Sequence, residues 1–251
     1  MKNKNLFYSY IKGAAIAMLL GSGFLSCKKP EITNENFLAA NIAVMNAWNN
    51  EDQPDLNFSI DTSKKLHFGV VSYERQLDYL VVNAGNRTVK FVNTSDGSTA
   101  FEKPVNLESR KIYSLFLTGT RSAPEGVFVE DDVAAEPAVG KYRIRVANMV
   151  TDAGAQYELF AAKDGQALAL AQKLVSSTAG KAVSAFAEYA SDPNPEQRFS
   201  VWAINAGKDT LQADRVLLTS QKAYTFTISG GKTEGLKTTS LNSFTNVLPF
   251  R

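Results

Sequence analysis

The stretch Val105–Gly119 returns 111 positions later as Val216–Gly230, and this duplication limits the fold more than any other feature of the chain. Val, Leu, Ser, Lys, Tyr and Gly recur at matching places in the two copies. A second echo, Ile42–Asn46 against Tyr142–Asn148, ends in Asn both times, at an offset nearer 102. The growing offset implies an insertion in the second copy, and Ser191–Gln197, with its two prolines, is the place expected for it. A period this long is the duplication of a whole domain of about 100 residues rather than a solenoid repeat.

Each copy is written in strands. Leu56–Ile60 and Thr88–Val92 alternate apolar with polar residues, the period of a strand buried on one face. Tyr79–Val82, Ile112–Leu117 and Gly126–Val129 are short apolar runs, and Asp96-Gly97 is a hairpin turn signal. The second copy supplies Tyr142–Asn148, Tyr157–Phe160 and Phe199–Ile204. Leu168–Ser176 and Lys181–Tyr189 are alanine-rich enough for a helical turn, although the repeat argues for strands or edge segments there. The expectation is an all-β protein of two tandem immunoglobulin-like β-sandwich domains, 39–133 and 141–251, joined by a linker at 134–140.

Ahead of them stands a different kind of sequence. Lys2, Lys4 and Lys12 precede a short apolar run that ends in Phe24-Leu25-Ser26-Cys27. The run is too short for a stable membrane span of about 20 residues. It fits a leader, residues 1–26, with a cleavage point before the chain's single cysteine. The pattern resembles a lipoprotein signal, with Phe24 where leucine is usual, and makes Cys27 the expected site of lipid attachment. A plain secretory leader before a buried thiol is the alternative. Residues 27–38 are then the lipidated cysteine and a polar, proline-containing tether. The expected location is the outer membrane, at the cell surface or on the periplasmic face, because Lys28 is not the aspartate that favours inner-membrane retention. With one cysteine the mature chain has no intramolecular disulfide, so packed cores must supply its stability.

Charge points to no polyanionic partner. Taking the three leader lysines from 27 basic residues leaves 24 against 25 acidic ones, a net of −1. No nucleic acid is expected as a partner. His67, the sole histidine, lies between Leu66 and Phe68, and no Gly-x-Ser-x-Gly elbow exists, which argues against a Ser–His–acid hydrolase. No metal and no cofactor are expected, because the mature chain holds no His or Cys cluster. Glu51–Asp55 and Glu130–Asp132 offer oxygen ligands but lack EF-hand spacing, and solvated loops or edge charges are the simpler reading.

Aromatic residues remain as recognition candidates. Tyr73, Tyr79, Phe91, Phe101, Tyr189, Phe199 and Trp202 could stack on sugar rings, but Phe91 and Trp202 fall near equivalent places of the repeat and are expected in the core. Trp48 lies among asparagines after the first strand, either as an exposed contact or as a loop anchor tucked on the end of the sandwich. Trp48, with Tyr73 and Arg75 of the Tyr73-Glu74-Arg75 tip, makes up the candidate ligand-binding set.

The organisation resembles a family of bacterial envelope lipoproteins, of the Bacteroidota type, known only as a domain of unknown function. The residues that carry the resemblance are Val44–Ala47, Tyr79 through Gly85–Val89, Lys111–Leu117, Val129–Asp132 and Arg143–Asn148. The resemblance spans about Ala39 to Val247. It implies tandem immunoglobulin-like sandwiches behind a lipid anchor and supplies no catalytic residues. The expected function is a non-enzymatic envelope protein that binds a protein or glycan, or serves as a structural module. The alternative is a carbohydrate-active enzyme or an accessory subunit of a glycan-processing system, which would need paired carboxylates beside exposed aromatics in a cleft.

Overall fold

The structure, a computed structural model, describes residues 38–49, 54–61, 67–120, 122–132, 136–152, 154–205, 209–231 and 239–246. The stretches expected to be leader and tether, with Cys27, lie outside them up to residue 37, as do residues 51–53 of the first acidic stretch and the side chain of His67.

The first half contains β1 (Ala39–Asn46), β2 (Leu56–Ile60), β3 (His67–Val71), β4 (Arg75–Asn83), β5 (Gly85–Asn93), β6 (Thr99–Leu107), β7 (Ile112–Thr120) and β8 (Ala123–Glu130). The second contains β9 (Lys141–Asn148), β10 (Gln156–Lys163), β11 (Gln172–Ala179), β12 (Ala182–Val183), β13 (Ala187–Ala190), β14 (Arg198–Asn205), β15 (Asp209–Leu217), β16 (Ala223–Ser229) and β17 (Ser240–Asn246). Four sheets result. Sheet 1 has the order β3-β2-β5-β6 and sheet 2 the order β4-β1-β7-β8. Sheet 3 is β12-β9-β16-β17 with β13 also on β9, and sheet 4 is β11-β10-β14-β15. Each half is a sandwich of two sheets, and the chain is an all-β protein of immunoglobulin-like sandwiches.

The duplication is visible bond by bond. In each half the opening strand runs parallel to a later one, with Ile42 beside Tyr113 and Ile144 beside Tyr224. The turn before that later strand places Arg110 and Gln221 at φ 66° and 62°. Their N–H groups donate to the carbonyls of Ala39 and Lys141, at 2.7 and 2.6 Å. The hydroxyl of Tyr113 accepts the N–H of Glu108 at 3.0 Å, and that of Tyr224 accepts the N–H of Thr219 at 2.9 Å. These are the tyrosine corners of a sandwich. The repeated asparagines close the opening strands: Asn46 Oδ1 accepts the N–H of Trp48, and Asn148 Oδ1 that of Val150. Strands β4 and β5 are separated by Ala84 alone, whereas 191–197 separates β13 from β14. The insertion therefore lies where the offset changes. The alanine-rich stretches are mixed: Leu168–Leu170 is a 3-10 turn, and β11, β12 and β13 are strands.

The two halves do not hang apart on a linker. The described residues of both halves belong to one compact unit. Pro137 is buried, and Gly140 donates its N–H to Ser220 Oγ at 2.8 Å. Sheets 2 and 3 pack face to face, which makes four layers of sheet. This explains why β7 is buried on both faces. Tyr113, Leu115 and Leu117 enter the core of the first sandwich, and Ile112 and Phe116 enter the joint. Met45, Ala47, Ala147 and Met149 join Phe116 in the larger apolar patch of the joint.

At the centre of the joint lies a closed ring of polar groups. Asp131 and Arg145 form an ion pair at 2.5 Å, with their side chains 0% and 3% exposed. Arg145 also donates to Ser114 Oγ and Thr225 Oγ1, both at 2.9 Å. Thr225 donates to Asn246 Oδ1, Asn246 Nδ2 donates to the Tyr79 hydroxyl, and Tyr79 and Ser114 donate to Asp131 Oδ2. The rings of Phe186 and Phe116 lie 4.5 and 5.8 Å from the guanidinium carbon. Asp131 is thus not the solvated loop charge expected from Glu130–Asp132. Both its oxygens are engaged and neither is left for a cation.

The joint and cores give the protein an alkaline limit. Burial raises the phenol of Tyr79, reinforced by the Asp131 charge, and burial likewise raises Tyr73. Burial, then the neighbouring Tyr189, pushes Tyr142 up to about 12. These groups hold their protons when the unfolded chain has lost them. Stability is then intact below the ordinary tyrosine pKa of about 10 and falls above it. Each such tyrosine contributes about 1.4 kcal/mol per pH unit. Urea midpoints measured from pH 8 to 11 should decline above pH 10; a midpoint that holds to pH 11 would contradict this.

Candidate binding face

The outer face of sheet 4 follows from strict alternation. Tyr157, Leu159 and Ala161 of β10, and Val201 and Ala203 of β14, enter the core of the second sandwich. Phe160 and Trp202 therefore point the other way, directly opposite each other in the ladder. Lys173 of β11 stands beside Phe160, and Gln212 of β15 stands beside Trp202. A row Lys173–Phe160–Trp202–Gln212 thus crosses all four strands. Trp202 is nonetheless only 5% exposed.

Trp202 is buried, as expected, but not as the counterpart of Phe91 in the sandwich core. Phe91 pairs with Phe58, and both lie in the first core. The corresponding core pair of the second half is Leu159 with Ala203. Trp202 is one residue off register, and in a strand one residue changes the face.

Beside Trp202 the strand pairing breaks. Phe199 pairs with Val216 and Val201 with Ala213, so two residues of β15 oppose Ser200 alone. One of them, Arg215, sits at φ 58°, a left-handed conformation that a non-glycine residue adopts only under constraint. Bulges and strained residues of this kind collect at functional sites. The turn after β10 closes the other side. Asp164 donates its N–H to Arg198 O at 2.9 Å, and its Oδ1 accepts from Ser200 Oγ at 3.1 Å. Gly165 supplies the positive φ that the tight turn needs. Gln166 Oε1 accepts the N–H of Lys163, which leaves its amide NH2 as the outward donor. Between turn and bulge lies an open cleft of about 470 Å³ lined by Asp164, Gly165, Gln166, Ala167, Ser200, Gln212 and Arg215. A second hollow, of about 270 Å³, is bordered by the turns at 150–156 and 179–181. The ammonium of Lys181 at its rim is engaged by Glu125 at 2.6 Å.

The residues singled out from sequence lie elsewhere. Cys27 is outside the described residues. Trp48 takes the second of its two expected positions, the loop anchor: it is 5% exposed, packs in the first core and donates its indole N–H to Thr120 O at 2.9 Å. Tyr73 is half-buried, and Arg75 is exposed at the start of β4. The tip that bears them serves the joint, because the Glu74 carboxylate accepts from Ser229 Oγ at 2.7 Å and from Ser240 Oγ. Sequence reasoning passed over Asp164, Gln166, Gln212 and Arg215. The available signal was Ser200-Val201-Trp202-Ala203, whose alternation places a tryptophan and a serine together on one face.

Among the described residues no three His, Cys, Asp or Glu side chains gather as a metal site would require. Asp164 is the only carboxylate among the described residues that line the larger cleft. Hydrolysis by paired carboxylates needs a second one about 5–9.5 Å away.

These features define an all-β chain of two packed sandwiches with a polar cleft on an outer sheet. Residues 40–156 match a family described as a domain of unknown function, DUF4397. The match takes in β1–β9 and reaches the first residue of β10. No curated protein matches the chain. Three solved structures are similar at a distance. The C-terminal domain of AlgF from P. aeruginosa is 18% identical, with 37% of this chain and 98% of that one covered and a TM-score of 0.28. A family 26 carbohydrate-binding module from Eubacterium rectale, solved with maltoheptaose, is 11% identical, with 83% and 98% covered and a TM-score of 0.27. A Bacteroides fragilis protein provisionally described as a cell adhesion protein is 11% identical, with 79% and 87% covered and a TM-score of 0.27. At such scores none of the three bears on what this chain does.

Proposed function

We propose that the protein is a non-enzymatic envelope protein, held to the outer membrane by a lipid on Cys27, that presents the outer face of sheet 4 to a ligand. The observation that carries the binding part is the cleft beside Trp202. There a broken ladder, a left-handed Arg215 and a turn tied to Ser200 hold polar side chains around an open volume. Its volume, about 470 Å³, falls in the range of small-ligand sites, which run from about 300 to 1,000 Å³. The anchoring part rests on the leader and on Cys27 as the only cysteine. Two acyl chains hold a protein by burial of many methylene groups, at roughly 0.8 kcal/mol each.

Fractionation and protease shaving test it together. Wild-type protein should sediment with the outer membrane, and Cys27→Ala should appear in the soluble fraction. Equal sedimentation of the two would remove the anchor. Degradation in intact cells would place the cleft at the cell surface, and protection until the outer membrane is opened would place it in the periplasm.

A further inference from the structure

We infer that the ligand of this cleft is a neutral polyhydroxylated chain, a glycan segment, lying across β10, β14 and β15 beside Trp202. The inference rests on the binding reading above and adds the class of ligand. Its chemistry comes from the lining. Asp164, Gln166, Gln212 and Arg215 end in planar groups that hydrogen-bond through paired atoms. Such forks match vicinal hydroxyls, which offer two donor–acceptor oxygens side by side.

Charge separates this class from its competitors. The cleft holds one carboxylate and one guanidinium among its described lining residues, so its fixed charges cancel. A phosphate or a polyuronate would meet Asp164, which already accepts one hydrogen bond from Ser200 and repels a further anion. A cation would meet Arg215. An extended peptide would add to the free edge of β15, the last strand of sheet 4, rather than lie across the face of β10 and β14, which are paired on both sides. Hydroxyls carry no charge and both give and accept hydrogen bonds, so they satisfy the whole set.

Native affinity electrophoresis of the full chain tests this, with soluble starch, dextran and galactomannan as neutral polymers, and alginate and polygalacturonate as acidic ones. At least one neutral polymer should retard the wild type. Asp164→Ala and Gln212→Ala should each weaken that retardation tenfold or more, with unchanged circular dichroism. Retardation by the acidic polymers alone, abolished by the same substitutions, would overturn the neutral-glycan class and leave the binding face standing. Retardation that survives both substitutions would place binding on another surface and sink both readings. If no polymer binds, a photo-crosslinking residue at position 212 in intact cells decides the remainder. A discrete protein adduct would keep the face and replace the ligand class; no adduct would remove both.

Discussion

Asp131→Ala should destabilise the protein by about 3–5 kcal/mol, the cost of leaving a buried charge without its partner. Arg145 is 3% exposed at its side chain and is flanked by two phenylalanine rings, so water cannot replace the lost carboxylate. The ring of hydrogen bonds would open at two further places, because Tyr79 and Ser114 both donate to Asp131. Urea unfolding of the purified chain is the measurement. A loss below about 1 kcal/mol would mean that the pair behaves as an exposed one. The double variant Asp131→Leu with Arg145→Met separates the charge from the packing. It should recover most of the loss, since an apolar replacement of a buried pair is often neutral or stabilising by about 1–4 kcal/mol. If the pair acts as a key to how the sandwiches meet rather than as glue, the recovered double variant should unfold in two transitions, one for each half; a single transition would contradict that role.

Trp48→Ala should cost about 3–5 kcal/mol, the range for truncating a large buried aromatic side chain. The residue closes one end of the first core and ties the end of β1 to that of β7 through its indole N–H and Thr120 O. Trp48→Phe, which keeps most of the volume and removes the donor, should cost less, with about 1 kcal/mol of it from the hydrogen bond. Chemical denaturation distinguishes this from a contact role. If Trp48→Ala kept wild-type stability, the side chain would be free in solution, and its place as an exposed ligand contact would return.

The fold was legible where one pattern served one face. Leu56–Ile60 alternates because β2 has one face on the core, and Asp96-Gly97 marks a real turn between β5 and β6. Tyr113 and Tyr224 recur at matching places of the repeat, and their hydroxyls make equivalent bonds. Legibility failed where a strand had two buried faces or a shifted register. Ile112–Leu117 reads as an apolar run in either case, and nothing in it says that Phe116 meets a second sandwich. Asp131 looks like any acid in a polar stretch until Arg145 of the other half is placed against it. Trp202 falls near the Phe91 position in the repeat, yet a slip of one residue turns it to the other face of its sheet, where it is buried outside the sandwich core. The candidate cleft was less legible still, since Asp164 and Arg215 are far apart in the chain and meet through a turn and a bulge that leave no periodic trace.

By itself the sequence determined the β character of the chain, its duplication and the place of the insertion, because these depend on periodicity and on residues near one another in the chain. It also set the terms for stability, since a single cysteine leaves packing to do the work of cross-links. Only the tertiary structure decided that the two sandwiches share one joint, that a buried ion pair sits inside it and that a polar cleft opens on sheet 4. Those outcomes depend on which face of each strand meets which neighbour, and a shift of one residue reverses that choice without changing the composition.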